Sequence, residues 1–448
     1  MTTETTQDNT NTNIIKPWVR RGGPAVAALA LIAYVAAYAH WPTLRMQVDL
    51  MVYRFAAERL LAGLDLYSTG LTGNHTELLF IYPPFAAICA TPLALLDSTT
   101  VQWLWLLGMA AALTYAVVRM LTSMGMRTGG ALASLTALLV GMIAWLEPLR
   151  LTAELGQINV VLLVLVVVDL LGRGKWSGIG IGLAAGLKLT PALFIVYLLV
   201  IRRFRAALVA TATFAATVAL GFAVAPTDSV TFWLRGRFDD VNRISHDPFA
   251  NTSLSGLLLR LHGSPAMATV ASIAVAAIAV VIAAMAYRRG HAVLALAIVG
   301  LASAAASPFS WSHHWVWFAP LVVHLGYRGY VAGSRGAAAS IWLLAALLGG
   351  WFVFTAGDTP QAGLLSLHPG GLWTEILPVA YVLVFAVTLI GSAVWLYAVR
   401  PPMISNTSKV LTPADTDGSR SPISSTSARS ATRITPMPHT PSGSATGP

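Results

Sequence analysis

A series of apolar runs, each about twenty residues long and nearly free of charge, confines this chain to a lipid bilayer. Residues 24–42, 206–225, 265–286, 337–355 and 376–398 are such runs. A helix needs roughly 20 apolar residues to cross about 30 Å of hydrocarbon. In that medium every backbone N–H and C=O must be satisfied within the protein. The runs are continuous and do not alternate, so they predict helical spans rather than barrel strands. Composition agrees: 56% of the 448 residues are hydrophobic and 10% are charged, where a soluble globular domain carries about 25% charged residues. The expected class is an all-α integral membrane protein.

The net charge of +10 invites a nucleic-acid partner, and its distribution argues against one. Basic residues gather at alternate helix ends: Lys16, Arg20 and Arg21; Arg202, Arg203 and Arg205; Arg288 and Arg289; Arg328 and Arg335; Arg400. Acidic residues mark the intervening loops: Asp49, Glu58, Asp65 and Glu77; Asp228, Asp239, Asp240 and Asp247; Asp358 and Glu375. This is the positive-inside pattern, which puts the basic ends and both termini in the cytoplasm. The lone Cys89 excludes an intrachain disulfide and a thiolate metal cluster. The first apolar run lacks a small-residue cleavage site and is expected to be a retained helix.

The organisation expected is a polar tail over 1–15, a membrane domain over 16–400 and a Ser/Thr/Pro-rich tail over 401–448, both tails disordered. From residue 206 onward six spans alternate, the shorter runs 291–306 and 315–327 included, which leaves loops 226–264, 307–314 and 356–375 on the outer face with 43–78. Runs 79–96, 100–120, 129–146, 157–172 and 177–201 bring the expected total to about twelve transmembrane helices. That assignment puts Arg119, Arg127, Arg173 and Lys175 outside, against the charge rule. A competing reading makes 79–96 re-entrant or interfacial and breaks 177–201 near Pro191. In the first outer loop, 46–67 has helical periodicity, with Val52, Phe55, Ala56, Leu60 and Leu61 on one side, and is expected to lie in the interface plane. No fixed-period repeat is present.

Ionisable groups at membrane depth are costly and call for a reason. Asp49, at the start of the interfacial segment, is either a helix cap or solvated loop carboxylate, or a general base facing a lipid-linked substrate. Segment 307–317 (SPFSWSHHWVW) sets His313 and His314 among Trp311, Trp315 and Trp317. It reads as an aromatic belt, or as a sugar platform whose histidines meet a phosphate. A metal reading is weak, because adjacent side chains on a helix do not converge. Lys188, within GLKLTP, either snorkels or directs its ammonium at an anion. Glu154, Gln157 and Asn159 (AELGQIN) bring polar groups to the start of a span, where capping alone is a sufficient explanation. Tyr82-Pro83-Pro84 breaks the start of another span, where a kink alone is a sufficient explanation. The pair Asp239–Asp240 is a weak signal for a metal–nucleotide site. No Walker motif, Rossmann glycine pattern or HExxH is present.

Taken in series, five stretches resemble the actinobacterial polyprenol-phosphate-mannose-dependent α-(1,2)-mannosyltransferases of the GT-C superfamily. They are VDLMVYRFAAERLLAGLDLY (48–67), FIYPPFAA (80–87), GQINVVLL (156–163), GIGIGLAAGLKLTP (178–191) and SPFSWSHHWVW (307–317). Their order extends the likeness over roughly residues 25–400. Ser312 departs from it, standing where an aspartate is expected before the two histidines. The resemblance implies a GT-C-like fold in the plasma (inner) membrane, an active site on the periplasmic face, a polyprenyl-phosphate-mannose donor and a mannosylated glycolipid acceptor. It implies Asp49 as catalytic base, with His313 and His314 beside the reacting groups. Tyr53, Arg54, Tyr82, Glu154, Gln157, Asn159, Lys188, Trp311 and Trp315 are the expected substrate-binding residues. No cofactor is required; a divalent metal is compatible with the chemistry but nothing demands it. The partners expected are the two lipid-linked substrates and the bilayer, with no nucleic acid, and the protein is expected to be a monomer. The rival acceptors are lipomannan and lipoarabinomannan. The rival class is a secondary transporter or lipid flippase of about twelve spans, although transporters tend to show repeats and midplane charges, whereas here the polar residues gather in outer loops.

Overall fold

The apolar runs fold as helices in a computed structural model that describes residues 15–398, apart from 42–43, 45, 74–77, 173, 240–249, 350–352, 357–358 and 363–378. Met1–Pro401 form one unit and Pro402–Pro448 a second, and everything described belongs to the first. The tail 401–448, nearly all of 1–15, Glu77, Asp240, Asp247, Asp358 and Glu375 lie outside the described residues.

The N-terminal part comprises α1 (Pro17–His40), α2 (Val48–Leu61), α3 (Pro84–Ala94), α4 (Ser98–Ser123) and α5 (Gly130–Ala144). Next come α6 (Glu147–Leu155) and α7 (Asn159–Leu171), bent 118° at their break. They are followed by α8 (Ile179–Leu187), a 3-10 turn (Thr190–Ala192), α9 (Leu193–Val200), α10 (Phe204–Val224) and α11 (Pro226–Ser229). The C-terminal part comprises α12 (Leu254–Arg260), α13 (Pro265–Arg288), α14 (Ala292–Ala305), a 3-10 turn (Ser312–Trp315), α15 (Phe318–Gly326) and α16 (Arg335–Leu348). A short antiparallel hairpin, β1 (Val353–Ala356) with β2 (Thr359–Ala362), precedes α17 (Ala380–Ala398). Starts are set by local chemistry: Asp97, Ser253, Ser264 and Ser334 cap α4, α12, α13 and α16 through their side chains. Pro84 and Pro265 occupy first turns, where the missing N–H costs nothing. Tyr82-Pro83-Pro84 thus begins a helix and does not kink one.

Among the described residues five helices, α1, α4, α10, α13 and α17, are long and apolar enough to cross a membrane, and the α6–α7 pair makes a sixth if its two bent halves are one span. The expected count of about twelve is not what these lengths give. Several expected spans are short: α3 has 11 residues, α14 has 14 and α15 has 9. The reason is visible in α14, where every residue from Val293 to Ala305 is buried. A helix enclosed by other helices is as apolar as a lipid-facing one without having its length. The expected run 337–355 also fails to continue as helix. α16 ends at Leu348, Gly349 forms an isolated bridge with Leu146, and the hairpin follows. Paired glycines here remove the helix propensity, so the chain is not wholly α.

Close helix contact is built with small residues. Gly178, Gly182 and Gly186 fall one turn apart along the face that α8 presents to α10. A Cβ on Gly182 or Gly186 would land on Thr213 or Thr217. Dispersion and close backbone approach hold such pairs together where lipid offers no hydrophobic gain. Asp169, the acid within the apolar α7, accepts from the backbone N–H groups of Gly178 and Ile181 at 2.6 and 2.8 Å, capping the start of α8.

Candidate active site

Three interruptions of helix meet at one place. The first is the break between α6 and α7, where Gly156 adopts φ +71°. A Cβ there would strike the Leu50 and Gln47 side chains of the α2 start, so glycine is required both for its conformation and for the close approach. That approach brings Gln157 to Asp49: Nε2 of Gln157 donates to Oδ2 of Asp49 at 2.7 Å. Gln157 Oε1 lies 3.0 and 3.2 Å from the Tyr53 and Tyr82 hydroxyls, which are 3.1 Å from each other. Asp49 stands in the first turn of α2 and makes no side-chain cap there. α2 buries Leu50, Val52, Tyr53, Ala56 and Ala57, packing on α3. Leu61, expected on the apolar side, is exposed.

The second interruption is Lys188, which is extended (φ −152°, ψ 130°) between α8 and the turn at Thr190–Ala192. It does not snorkel. Its Nζ donates to Oδ1 of Asn159 at 3.1 Å, lies 2.9 Å from Nε2 of His314, and sits 5.5 Å from the Tyr82 ring centre. Asn159 opens α7 and passes its own Nδ2 proton to the His313 carbonyl at 2.8 Å. The third interruption is the turn holding the two histidines. His314 accepts from Lys188, so its Nδ1 carries the proton, directed at Ser310 Oγ at 3.4 Å. Ser310 Oγ donates to Ala304 O at 2.8 Å. His313 is buried, stacks on Trp311 at 5.5 Å, and leaves Nε2 without a partner.

Electrostatics separate the roles. Burial pushes the Asp49 carboxyl above its ordinary value, and the Gln157 hydrogen bond and the Lys188 charge pull it part of the way back. Burial, then the Lys188 charge, holds both imidazoles well below the ordinary histidine value, so both are neutral. That leaves Lys188 as the group of the site that can carry a positive charge. With two of its protons assigned, the third is free for an anionic group. Gln157 and Tyr82 thus connect the Asp49 carboxylate to the Lys188–His314 pair.

Residues 80–308 match glycosyltransferase family 87, a stretch that contains Tyr82, Gln157, Asn159 and Lys188. The chain belongs to glycosyltransferase family 87. It is 34% identical over 370 residues to the polyprenol-phosphate-mannose-dependent α-(1-2)-phosphatidylinositol pentamannoside mannosyltransferase of Mycolicibacterium smegmatis, covering 79% of this chain and 85% of that one. The protein of the same description in Mycobacterium tuberculosis is 32% identical, over 85% of this chain and 90% of its own length. A polyprenol-phosphate-mannose-dependent α-(1-2)-phosphatidylinositol mannoside mannosyltransferase, also of M. tuberculosis, is 34% identical over 68% of this chain and 75% of its own. No solved structure matches.

Within this family 87 chain, three expected site residues are engaged elsewhere. Arg54 reaches away from Asp49, its Nε donating to the Leu93 and Leu96 carbonyls at 3.2 and 3.3 Å and its Nη1 pairing with Glu58 at 2.7 Å. Leu93 lies in the last turn of α3, where carbonyls lack intrahelical donors, and Leu96 lies just past its C-cap. Both oxygens of Glu154 accept from Nη1 of Arg150, at 2.7 and 2.8 Å, in a buried i,i+4 pair. Trp315 is fully buried, stacks on Phe318 and Tyr381 at 5.9 and 5.5 Å, and donates to Thr252 Oγ1 at 3.0 Å. It is core, and only Trp311 borders the histidines as a partly exposed ring.

Other residues, not singled out in the sequence, hold the histidine turn. Thr252 donates twice to Ser310 O, at 2.7 and 2.8 Å, and Asn251 both donates to Pro308 O and accepts from Ser310 N, at 3.0 and 3.1 Å. Thr152 donates to the His313 carbonyl at 3.3 Å. The available signal was Asn251-Thr252-Ser253 ahead of an apolar helix, which looks like capping alone, and Ser253 does cap α12.

Proposed function

We propose that this family 87 glycosyltransferase moves mannose from a polyprenyl phosphomannose to a phosphatidylinositol mannoside, forming an α-(1,2) linkage by one inverting displacement. The observation that carries this is the convergence of Asp49 with Lys188 and His314 through Gln157, Tyr82 and Asn159. A β-linked mannosyl phosphate that gives an α-linked product needs a single in-line attack. Asp49 takes the proton of the acceptor hydroxyl as that oxygen bonds to the anomeric carbon. The anomeric C–O bond breaks and its electron pair leaves with the polyprenyl phosphate. This group is already a good leaving group, so it needs charge stabilisation rather than a strong acid, and the free Lys188 proton supplies it. His314 orients Lys188, and the unpartnered His313 Nε2 is available to a sugar or phosphate group. The names of the relatives support donor and acceptor alike.

The periplasmic face of the plasma membrane is the proposed location. The histidine turn and the Asn251–Ser253 segment lie beside the start of α13, while Arg288 and Arg289 lie at its other end. The 24 residues between span about 36 Å at 1.5 Å per residue. The positive-inside rule puts that arginine end in the cytoplasm and the candidate site outside. The test is incubation of purified protein with polyprenyl phosphomannose and phosphatidylinositol mannosides of graded length, with product mass and linkage read by mass spectrometry. Absence of hexose transfer to every acceptor would sink the reading, and a product of retained configuration would sink the single displacement.

A further inference from the structure

The arginine end of α13 carries a second polar cluster that the transfer chemistry does not use. His291 precedes α14, His324 lies on α15, Arg328 follows one turn later, and Trp395 comes from the last turns of α17. The His291 and His324 rings are 5.9 Å apart, and His291 is 4.7 Å from the Trp395 ring. The Arg328 guanidinium lies 4.2 Å over the same indole. Arg289 stands two residues before His291 and has a buried Nη1.

Among the described residues, ion pairs form only between Arg54 and Glu58 and between Arg150 and Glu154. His324 is 3% exposed and its Nδ1 has no partner, and neither has Nη1 of Arg289. Helix-end carbonyls often receive such cations, but here backbone donors already use them. The Met285, Ala286 and Tyr287 carbonyls accept from the N–H groups of Arg289, Gly290 and His291, and those of Val323 and His324 accept from Tyr327. Arg328 and the two histidines thus gather around one indole, with Arg289 two residues from His291, and the His324 Nδ1 and Arg289 Nη1 are left unpartnered where burial penalises an unmet polar group. Beside them α13 packs on α17, and Val281, Ile390, Val394 and Tyr397 of these helices are exposed.

We propose that this cluster binds the phosphodiester headgroup of an anionic phospholipid, whose acyl chains lie along the exposed faces of α13 and α17. Arg289, Arg328 and the two histidines supply donors to the phosphate oxygens, and Trp395 holds the Arg328 guanidinium in place by stacking. Basic recesses between helices at the cytoplasmic end suit such headgroups, and an indole at that level is a common interfacial anchor. The site shares no residue with the candidate active site, so it stands whether or not the transfer reading does.

The test uses full-length protein purified in neutral detergent and stripped of lipid. It is titrated with phosphatidylglycerol, phosphatidylcholine or inorganic phosphate, with bound lipid counted by native mass spectrometry and Tm followed in parallel. Phosphatidylglycerol should bind and raise Tm, and the other two should not. The double variant His291→Gln/Arg328→Gln should bind phosphatidylglycerol about tenfold or more weakly, while Lys188→Gln should bind it as wild type does. Should the double variant fail to stay monodisperse, the wild-type protein still decides the matter: its affinity should fall steeply as ionic strength rises. Equal binding of phosphatidylcholine, equal stabilisation by inorganic phosphate alone, salt-independent binding, or undiminished binding by a well-folded double variant each overturns the proposal.

Discussion

Replacing Asp49 by asparagine tests the proposed base with little disturbance of its surroundings. The carboxylate accepts from Gln157 Nε2 at 2.7 Å, and Gln157 Oε1 lies 3.0 and 3.2 Å from the two tyrosine hydroxyls. In the arrangement seen, Gln157 turns its Oε1 to the tyrosine hydroxyls and its NH2 to position 49. With Gln157 held in that orientation, an asparagine at position 49 directs its carbonyl at Gln157 and its NH2 the other way. Shape and the bond to Gln157 are kept, yet a donor stands where the attacking hydroxyl needs an acceptor. A general base contributes ~10²–10⁴-fold, or about 2.7–5.4 kcal/mol at 1.36 kcal/mol per decade. The burial that raises the Asp49 carboxyl also makes it a stronger base than a solvated aspartate, which places the expected loss toward the upper figure. The assay is the initial rate of labelled mannose transfer at saturating donor and acceptor, with donor affinity measured separately and expected to be unchanged. Glu58→Gln, which removes a partly exposed pair with Arg54, is the control and should leave turnover near wild type. A turnover of Asp49→Asn within roughly tenfold of wild type, below the least a general base supplies, would refute the assignment.

Lys188→Gln should raise the donor KM more than the acceptor KM, by roughly tenfold or more if a charge-assisted bond of about 1.5–3 kcal/mol to phosphate is lost; equal effects on both substrates would count against a phosphate contact. Gln157→Leu removes a hydrogen bond that favours the charged Asp49, so the Asp49 pKa rises further and the acid limb of the kcat/KM profile should move to higher pH; an unmoved limb would separate that limb from Asp49. Arg54→Gln should cost stability of about 1 kcal/mol or less, as for an exposed pair, and leave both KM values unchanged, since the side chain caps α3 and does not face Asp49. Trp315→Phe should cost roughly 1–3 kcal/mol of stability, read as a lower Tm, through loss of its bond to Thr252 and of ring volume, with the KM of folded protein preserved; a selective rise in KM would restore Trp315 to the sugar site.

The membrane class and the helical regime are legible in the sequence because they depend on summed hydropathy, which no tertiary detail reverses. The number of spans is not, because hydropathy cannot separate a helix that meets lipid from one enclosed by protein. The almost wholly buried α14 is if anything more apolar than the 21-residue α10, which is largely unburied and of a length to cross. Site residues divide in the same way. Lys188, Gln157 and Asn159 stand out because a polar group in an apolar run is anomalous wherever the run goes. Glu154 stands out for the same reason, and its partner is spelled out one turn earlier, since Arg150 lies four residues before it on α6. The three tryptophans of 311–317 could not be sorted locally, because what makes Trp315 core is Tyr381 and Phe385, far along the chain.

One physical requirement links the three interruptions at the candidate site. A continuous helix in the bilayer satisfies its own backbone and presents side chains laterally, so it cannot aim several polar groups at one small volume. Breaking it frees backbone groups, which must then be satisfied inside the protein. The break after α8 does this while turning Lys188 inward. The break between α6 and α7 keeps its carbonyls paired through Gly156 N and Gln157 N, and it points Gln157 and Asn159 in different directions. The break between α14 and α15 leaves carbonyls at His313 and Ser310, and these are taken by Asn159, Thr152 and Thr252. Each interruption thus supplies an acceptor or a donor that another needs. The polar residues are fixed by one another before any substrate arrives, which is the preorganisation that charge stabilisation in a water-poor site depends on.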